Sequence, residues 1–308
     1  MTTSNSPDTG YHHRAYAESF AGFGRPRLLP MSGGWILERD IAGGEGAADA
    51  MGLYPLFACR DWQALHRDLE AVGEDELVSL VLVADPFGGW EETDLAHCFP
   101  DRLLRFKDHF VADLRDYPGC DRHHRRSVRQ AAKLVDIDIA EPASVADEWI
   151  ALYGHLIRRH GIGGLSAFSP TALRAQLQVP GLTVFRARIG GETAGMVLFY
   201  EAGDAVYYHL GAYSEAGYAS RASYGVFAAA IEHFAARGHA WLDLGAGAGV
   251  SVAADDGLTR FKRGWATGVR PAYLCGRIFN RRRYVDLARA TGNEAAAYFP
   301  AYRKGEFG

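Results

Sequence analysis

The chain has 308 residues, with 33 basic and 37 acidic side chains and a formal net charge of −4. Apolar residues make up 48% and charged residues 23%, which excludes disorder over most of the length and a globally basic nucleic-acid binder. At roughly 150 residues per domain, the length suits two domains, each able to bury its own core.

The four cysteines, Cys59, Cys98, Cys120 and Cys275, lie far apart. They offer no zinc-ribbon or CxxC spacing and suit reduced thiols in a cytoplasmic protein. No basic start followed by an apolar run is visible, and the longest apolar stretch, at 77–84, has strand length. A cytoplasmic protein without a membrane span is expected. The pairs His12-His13, His123-His124 and His155/His160 are read as lacking an acidic or cysteine partner at ligand spacing, so no metal is expected.

Residues 1–30 read as a loose arm. Strands are expected at 35–39, 53–59 and 77–83. A helix between the last two carries Trp62, Leu65 and Leu69 on one stripe. Two short strands follow at 103–106 and 109–114. The segment 121–133 reads as a helix with Arg122, Arg126, Arg129 and Lys133 along one side, opposite Val128, Ala131, Ala132 and Val135. A strand at 135–140 closes the first half.

The second half opens with a helix capped by Ser144 and running toward His160, then a helix with Pro170 at its first position. Three strands are expected at 182–189, 193–200 and 205–213, the first two joined through Gly190-Gly191. A helix at 223–237 presents Phe227, Ile231 and Phe234, and Gly238 stops it. A strand at 241–244, a helix with Leu258, Phe261 and Trp265, a strand at 269–274 and a helix at 281–290 complete the chain. The division read from this is an arm at 1–30, a first domain at 31–142 and a second at 143–308.

From about 143 to 279, this element order resembles the GNAT superfamily, and more narrowly the branch of the Fem aminoacyltransferases. The segments that carry the resemblance are YYHLGAY (207–213), RASYG (221–225), GHAWLDLG (238–245) and LTRFKRGW (258–265). RRSVRQAAK (125–133) resembles that branch's connecting segment, and YFPAYR (298–303) a tail seen on such chains. The resemblance implies an α/β (α+β) fold of GNAT type. This is a mixed twisted sheet with helices on both faces, in two tandem GNAT-like units of which the first is degenerate. It implies an N-acyltransferase that passes an acyl group, acetyl first, from acetyl-CoA or another acyl-CoA to a primary amine of a small molecule or amino acid. The alternative is a Fem-like enzyme that uses aminoacyl-tRNA.

In GNAT enzymes the donor pyrophosphate loop reads Q/R-x-x-G-x-G/A. Arg221, Ala222, Ser223, Tyr224 and Gly225 stand in its place at a helix start, where free N–H groups and the positive dipole end favour phosphate. Tyr224 occupies the first glycine position. That departure leaves room for a bulkier acyl-CoA or aminoacyl-tRNA, and it motivates a non-catalytic ligand-binding protein as a further alternative.

In this fold the donor lies in a cleft where the fourth strand splays from the fifth, here 205–213 and 241–244. Strand alternation would put Tyr207, His209, Gly211 and Tyr213 on one face. His209 is the candidate general base, with a core histidine as the plain reading. Asp243 is the candidate anchor for the ammonium, and Tyr207, Tyr213 and Trp241 would line the acceptor site. The resemblance gives Lys262 a phosphate-binding or oxyanion role. The stripe Arg122, Arg126, Arg129 and Lys133 could hold tRNA phosphates. WLDLGAGAG (241–249) also looks like a methyltransferase glycine motif. The residues after it do not read as the βαβ unit that motif needs, so S-adenosylmethionine chemistry is the last alternative.

Overall fold

A computed structural model of the chain describes residues 8–75, 77–247 and 257–306. In chain order, the described residues form α1 (Arg14–Glu18), β1 (Arg25–Leu29), β2 (Gly34–Asp40), β3 (Ala48–Gly52), α2 (Leu65–Glu74), β4 (Ser79–Val83), α3 (Glu92–Cys98), β5 (Arg102–Asp113) and α4 (Arg122–Ala131). Then come β6 (Asp136–Ala140), α5 (Ala146–His160), α6 (Pro170–Gln176), β7 (Leu182–Ile189), β8 (Glu192–Ala202), β9 (Ala205–Tyr213), α7 (Glu215–Ala219) and α8 (Ala222–Ala236). The last elements are β10 (Trp241–Gly245), α9 (Gly257–Arg263), β11 (Gly268–Ile278) and α10 (Arg281–Ala290).

The chain divides into two compact units, and not by a single cut near residue 142. A central unit takes in residues up to Gly10, Lys107–Ile162 and Ser169–Arg270. A terminal unit takes in Tyr11–Phe106, Gly163–Phe168 and the chain from Pro271. A linear reading misses this, because long-range strand pairing decides which unit a segment joins.

In the terminal unit the strand order is β1-β2-β3-β4-β11, antiparallel except for the parallel pair β3/β4. Its core gathers Leu29, Ile36, Phe57, Trp62, Leu65, Leu69, Leu80 and Leu82, so the expected helical stripe is buried. The segment read as a loose arm instead supplies α1 and β1. Tyr16 and Phe20 are fully buried, and Phe20 meets Tyr16 and Phe168 edge to face. Three or four aromatic anchors hold that segment, too few to show a period. The strand expected at 53–59 lies earlier, at β3, because Pro55 has no N–H for a ladder. The two strands expected at 103–106 and 109–114 are one strand, β5.

The C-terminal tail packs into the same unit. Arg303 donates from Nε and Nη2 to the two oxygens of Asp49, at 2.7 and 2.8 Å. The Tyr302 hydroxyl donates to Asp49 at 3.0 Å and lies 2.8 Å from Ser79 Oγ. Arg39 forms a fork to Glu306 at 2.9 and 3.0 Å.

In the central unit the order is β5-β10-β9-β8-β7-β6, and only β9/β10 is parallel. Helix α8 covers one face, where Phe227 and Phe234 meet Phe199. The other face carries α5 and α6; the neighbouring Tyr200 donates its hydroxyl to the Gln176 carbonyl at 2.9 Å. Pro170 stands at the first position of α6, as expected, with Ser169 as its cap, and a left-handed Gly161 ends α5 after His160. Ser144 does not cap α5; it lies in a 3-10 turn, and α5 begins at Ala146. Helix α4 buries His124, Ser127 and Ala131, while Ala132 of the expected apolar side is exposed. Two polar side chains on the inward face are invisible to a hydrophobic pattern. All four cysteines are free thiols.

Candidate active site at the parting of two strands

The parallel pairing of β9 and β10 runs through Trp241↔Ala205, Leu242↔Val206 and Asp243↔Tyr207, and ends there. Beyond that point β9 continues to Tyr213 while β10 stops at Gly245. The strands therefore part directly after Asp243.

Asp243 is 2% exposed. One of its oxygens lies 2.8 Å from His109 Nδ1 on β5, and the other accepts the Gly245 N–H at 2.7 Å. A carboxylate accepts only, so His109 carries its proton on Nδ1. His109 is itself buried. Lys262 is also buried and donates from Nζ to the Ala246 carbonyl at 2.6 Å, with the ammonium 5.4 Å from the Tyr208 ring centre. Lys107 donates to the Gly247 carbonyl at 3.3 Å. Gly245 sits at φ +72°, and a Cβ there would stand 3.1 Å from Lys262 Nζ. Glycine meets both the left-handed turn and the close ammonium. One imidazole–carboxylate pair and two ammonium groups thus gather around the backbone at 245–247. Residues 248–249 of the glycine motif lie outside the described residues.

Of the residues predicted from sequence, the structure brings Asp243, Lys262 and Tyr207 to this point. Tyr207 is buried and is the register partner of Asp243. His109, Lys107 and Tyr208 were missed as site residues. His109 and Asp243 are 134 positions apart, and only the antiparallel register of β5 and β10, with Asp243 opposite Val111, brings them together. That pairing leaves no trace in a single sequence.

The expected face of β9 is broken by a bulge. The register passes from Leu198↔Leu210 to Phe199↔Tyr208, leaving His209 as the extra residue. Gly211 accordingly lies beside Tyr208 and Val197, and Tyr213 joins the core on the α8 side with Val206. Tyr207 and His209 do not share a face with Gly211 and Tyr213. His209 is buried against Tyr200, at 4.8 Å between ring centres, with Nε2 3.2 Å from Gln176 Oε1. Burial pushes its pKa down to about 3. A neutral imidazole that weak is a poor proton acceptor near neutrality, which corrects the expectation of a general base. Tyr213 is buried against Gly195 and Tyr218. Trp241 stands at the other end of β10 from the parting, with the Arg115 and Arg270 guanidinium groups 4.7 and 4.5 Å from its ring. Neither residue joins the site around Asp243.

At the start of α8, Arg221 is a left-handed cap residue at φ +60°, a strained backbone for a side chain with a Cβ. Its Nη1 donates to Ser127 Oγ at 2.7 Å, tying α4 to this helix start. Ala222 is buried and Ser223 is half-buried. Tyr224 packs its ring against His124 and Phe261, at 5.0 and 5.1 Å between centres. Gly225 is buried where a Cβ would stand 2.9 Å from the Cδ1 end of the Ile137 side chain. Arg122, Arg126, Arg129 and Lys133 are all exposed, and Lys133 lies beyond the last residue of α4.

Asp121, His123 and His124 hold ligand atoms within 4.8 Å of one another, so the histidine pair does have an acidic neighbour. Both ring nitrogens of His124 are engaged, by Asp121 at 3.0 Å and by the Phe261 carbonyl at 2.9 Å. The cluster ties α4 to α9 and presents no open imidazole nitrogen on His124. Among the described residues, no helix is long and apolar enough to cross a membrane.

Residues 120–263 match the family model described as an acetyltransferase (GNAT) domain. No curated protein matches the chain by sequence. Among solved structures, the chain is similar to the C-terminal domain of a candidate lysylphosphatidylglycerol synthetase from Agrobacterium fabrum. The identity is 16% and the TM-score 0.60, with 87% of this chain and 88% of that one covered. It is also similar to FemX, at 13% identity and TM-score 0.60 over 92% and 95% of the two chains. For the L-PGS of Bacillus licheniformis the values are 12%, 0.56, 93% and 97%. At these identities the likeness is one of fold. The chain therefore carries, over residues 120–263, a match to an acetyltransferase (GNAT) domain, and it shares the fold of these three structures.

Proposed function

We propose that the enzyme transfers an acyl group from a CoA thioester to a primary amine of a small molecule or amino acid, as a cytoplasmic protein. The observation that carries this reading is the parting of β9 and β10 after Asp243, inside the matched GNAT domain. A thioester carbonyl seated between the parted strands would meet backbone N–H groups, and Lys262, bonded to the Ala246 carbonyl, would stabilise negative charge there. The start of α8, Arg221 to Gly225, would hold the donor phosphates through its N–H groups and the Arg221 side chain, with Tyr224 narrowing the path. Tyr207 would line the acceptor side.

A second reading uses aminoacyl-tRNA as donor. It is supported by the exposed stripe Arg122, Arg126 and Arg129 on α4, which the Ser127–Arg221 bond fixes beside the start of α8. One of the similar structures is named as a candidate lysylphosphatidylglycerol synthetase and another as L-PGS. A non-catalytic role or S-adenosylmethionine chemistry gains no comparable support.

The test measures melting temperature with acetyl-CoA, longer acyl-CoAs, S-adenosylmethionine and charged tRNA, followed by thiol release in the presence of primary amines. The first reading expects a rise with CoA esters alone. Binding of charged tRNA with steep salt dependence, and no response to any CoA ester, would replace it with the second.

A further inference from the structure

We infer that His109 takes the proton from the incoming ammonium and that Asp243 is its positioning residue, an assignment that rests on the acyl-transfer reading. Asp243 is too enclosed to meet a substrate amine: it is 2% exposed, and its two oxygens face His109 and the Gly245 N–H. The carboxylate holds the Nδ1–H tautomer, and this leaves Nε2 as an unprotonated acceptor. Among the described residues, Nε2 of His109 has no hydrogen-bond partner. Asp243 stands on β10 where that strand parts from β9, and His109 stands on β5, the strand paired to the other edge of β10. His209, the other imidazole on this sheet, is disqualified by its burial against Gln176 and Tyr200.

The step balances as follows. The acceptor R–NH3⁺ gives one proton to His109 Nε2. The freed lone pair attacks the thioester carbon, and a C–N bond forms. The tetrahedral oxyanion collapses, the C–S bond breaks, and the leaving thiolate takes the second proton lost from nitrogen. His109 then returns its proton to water, leaving amide, free CoA thiol and one released proton. Asp243 on β10 is the charged group in contact with the imidazole, while Lys107 on its own strand and Lys262 on α9 hold the backbone carbonyls of Gly247 and Ala246.

The experiment uses the full chain with acetyl-CoA and a panel of primary amines. His109→Gln should lower kcat/KM about 10²–10⁴-fold at neutral pH, while the melting-temperature rise with acetyl-CoA stays as in wild type. Its kcat/KM should then climb about tenfold per pH unit as solvent deprotonates the amine, whereas wild type levels off. Nitrogen-15 NMR of the histidines should report His109 as the Nδ1–H tautomer in wild type and not in Asp243→Asn. An Nε2–H tautomer in wild type, or a His109→Gln enzyme with the wild-type pH profile, overturns the inference. A wild-type protein inert toward every acyl-CoA overturns the donor reading instead, and the tautomer measurement still decides the pair.

Discussion

Asp49 in the terminal unit and Asp243 in the central unit are buried alike, at 1% and 2% exposure, yet their partners differ in kind. Asp49 faces a guanidinium fork from Arg303 and the Tyr302 hydroxyl. Arginine does not titrate in a protein, so that site can hold charge but cannot exchange a proton. Asp243 faces an imidazole, which can. The first arrangement fastens a tail; the second sets a tautomer beside an opening between strands. Burial of a carboxylate is thus no sign of function until the partner's chemistry is known. Burial still holds the Asp49 carboxyl above its ordinary range, against the pull of Arg303, so the ion pair adds little over an apolar core of the same shape.

The sharpest way to break this comparison is to remove one partner of the terminal clamp. Asp49→Ala leaves the Arg303 guanidinium with only the partly exposed Glu306, at 3.2 Å, as counter-charge, and should cost up to about 3–5 kcal/mol of stability. Urea unfolding checks the figure, and Arg303→Ala should cost a similar amount. Donor binding in the surviving folded fraction should be unchanged. A loss below about 1 kcal/mol in both variants would mean that the tail is not fastened by this pair.

The next effect contrasts two imidazoles of the central unit. His209 faces Gln176 and Tyr200, and burial puts its pKa near 3 rather than 6.5. Its folded pKa is depressed, so the unfolded chain binds the extra proton between those values. The stability that depends on a neutral His209 is complete above about pH 6.5 and is lost as pH falls toward 3. At pH 5 the loss is about 2 kcal/mol, from one and a half units at 1.36 kcal/mol each. His209→Gln should flatten the acid limb of melting temperature against pH over this window. An unchanged limb would move the acid sensitivity to another group.

The two carboxylates also mark where the sequence could be read and where it could not. Asp243 lies within a strand of WLDL pattern, and that strand was legible, as were the strands from Leu182 to Tyr213, the helix α8 and the stripe of Phe227, Ile231 and Phe234; that its pairing with β9 ends at Asp243 was not. Lys262 was found only through the resemblance, since its position off the apolar stripe reads as solvent-facing although it is buried. His109 was not found, because cross-strand register over 134 residues made it a partner of Asp243. The bulge at His209 reversed the face of Tyr213, and one extra residue in a ladder carries no compositional mark. Asp49 gave no signal either, as its partners arrive from the far end of the chain.

The smallest expected effect concerns charges that are not buried at all. Arg126 and Arg129 are exposed on α4. Solvated surface charges of this kind contribute within about 0.5 kcal/mol to stability, so the pair Arg126→Glu, Arg129→Glu should melt almost as wild type does. If a CoA ester is the donor, kcat/KM should also stay within about twofold, because a compact phosphate group at the start of α8 has no need of the outer stripe. If aminoacyl-tRNA is the donor, the same variant should lose affinity, and the slope of log affinity against log salt should fall by about one per phosphate contact removed. Ser127→Ala separates the two cases further. It releases Arg221 at a cost of about 1 kcal/mol and should weaken either donor through the helix start, without changing the salt slope set by the stripe. A stripe variant that loses CoA-dependent turnover while keeping its melting temperature would join α4 to the donor site, and would remove the distinction between buried, chemistry-bearing charge and solvated charge on this unit.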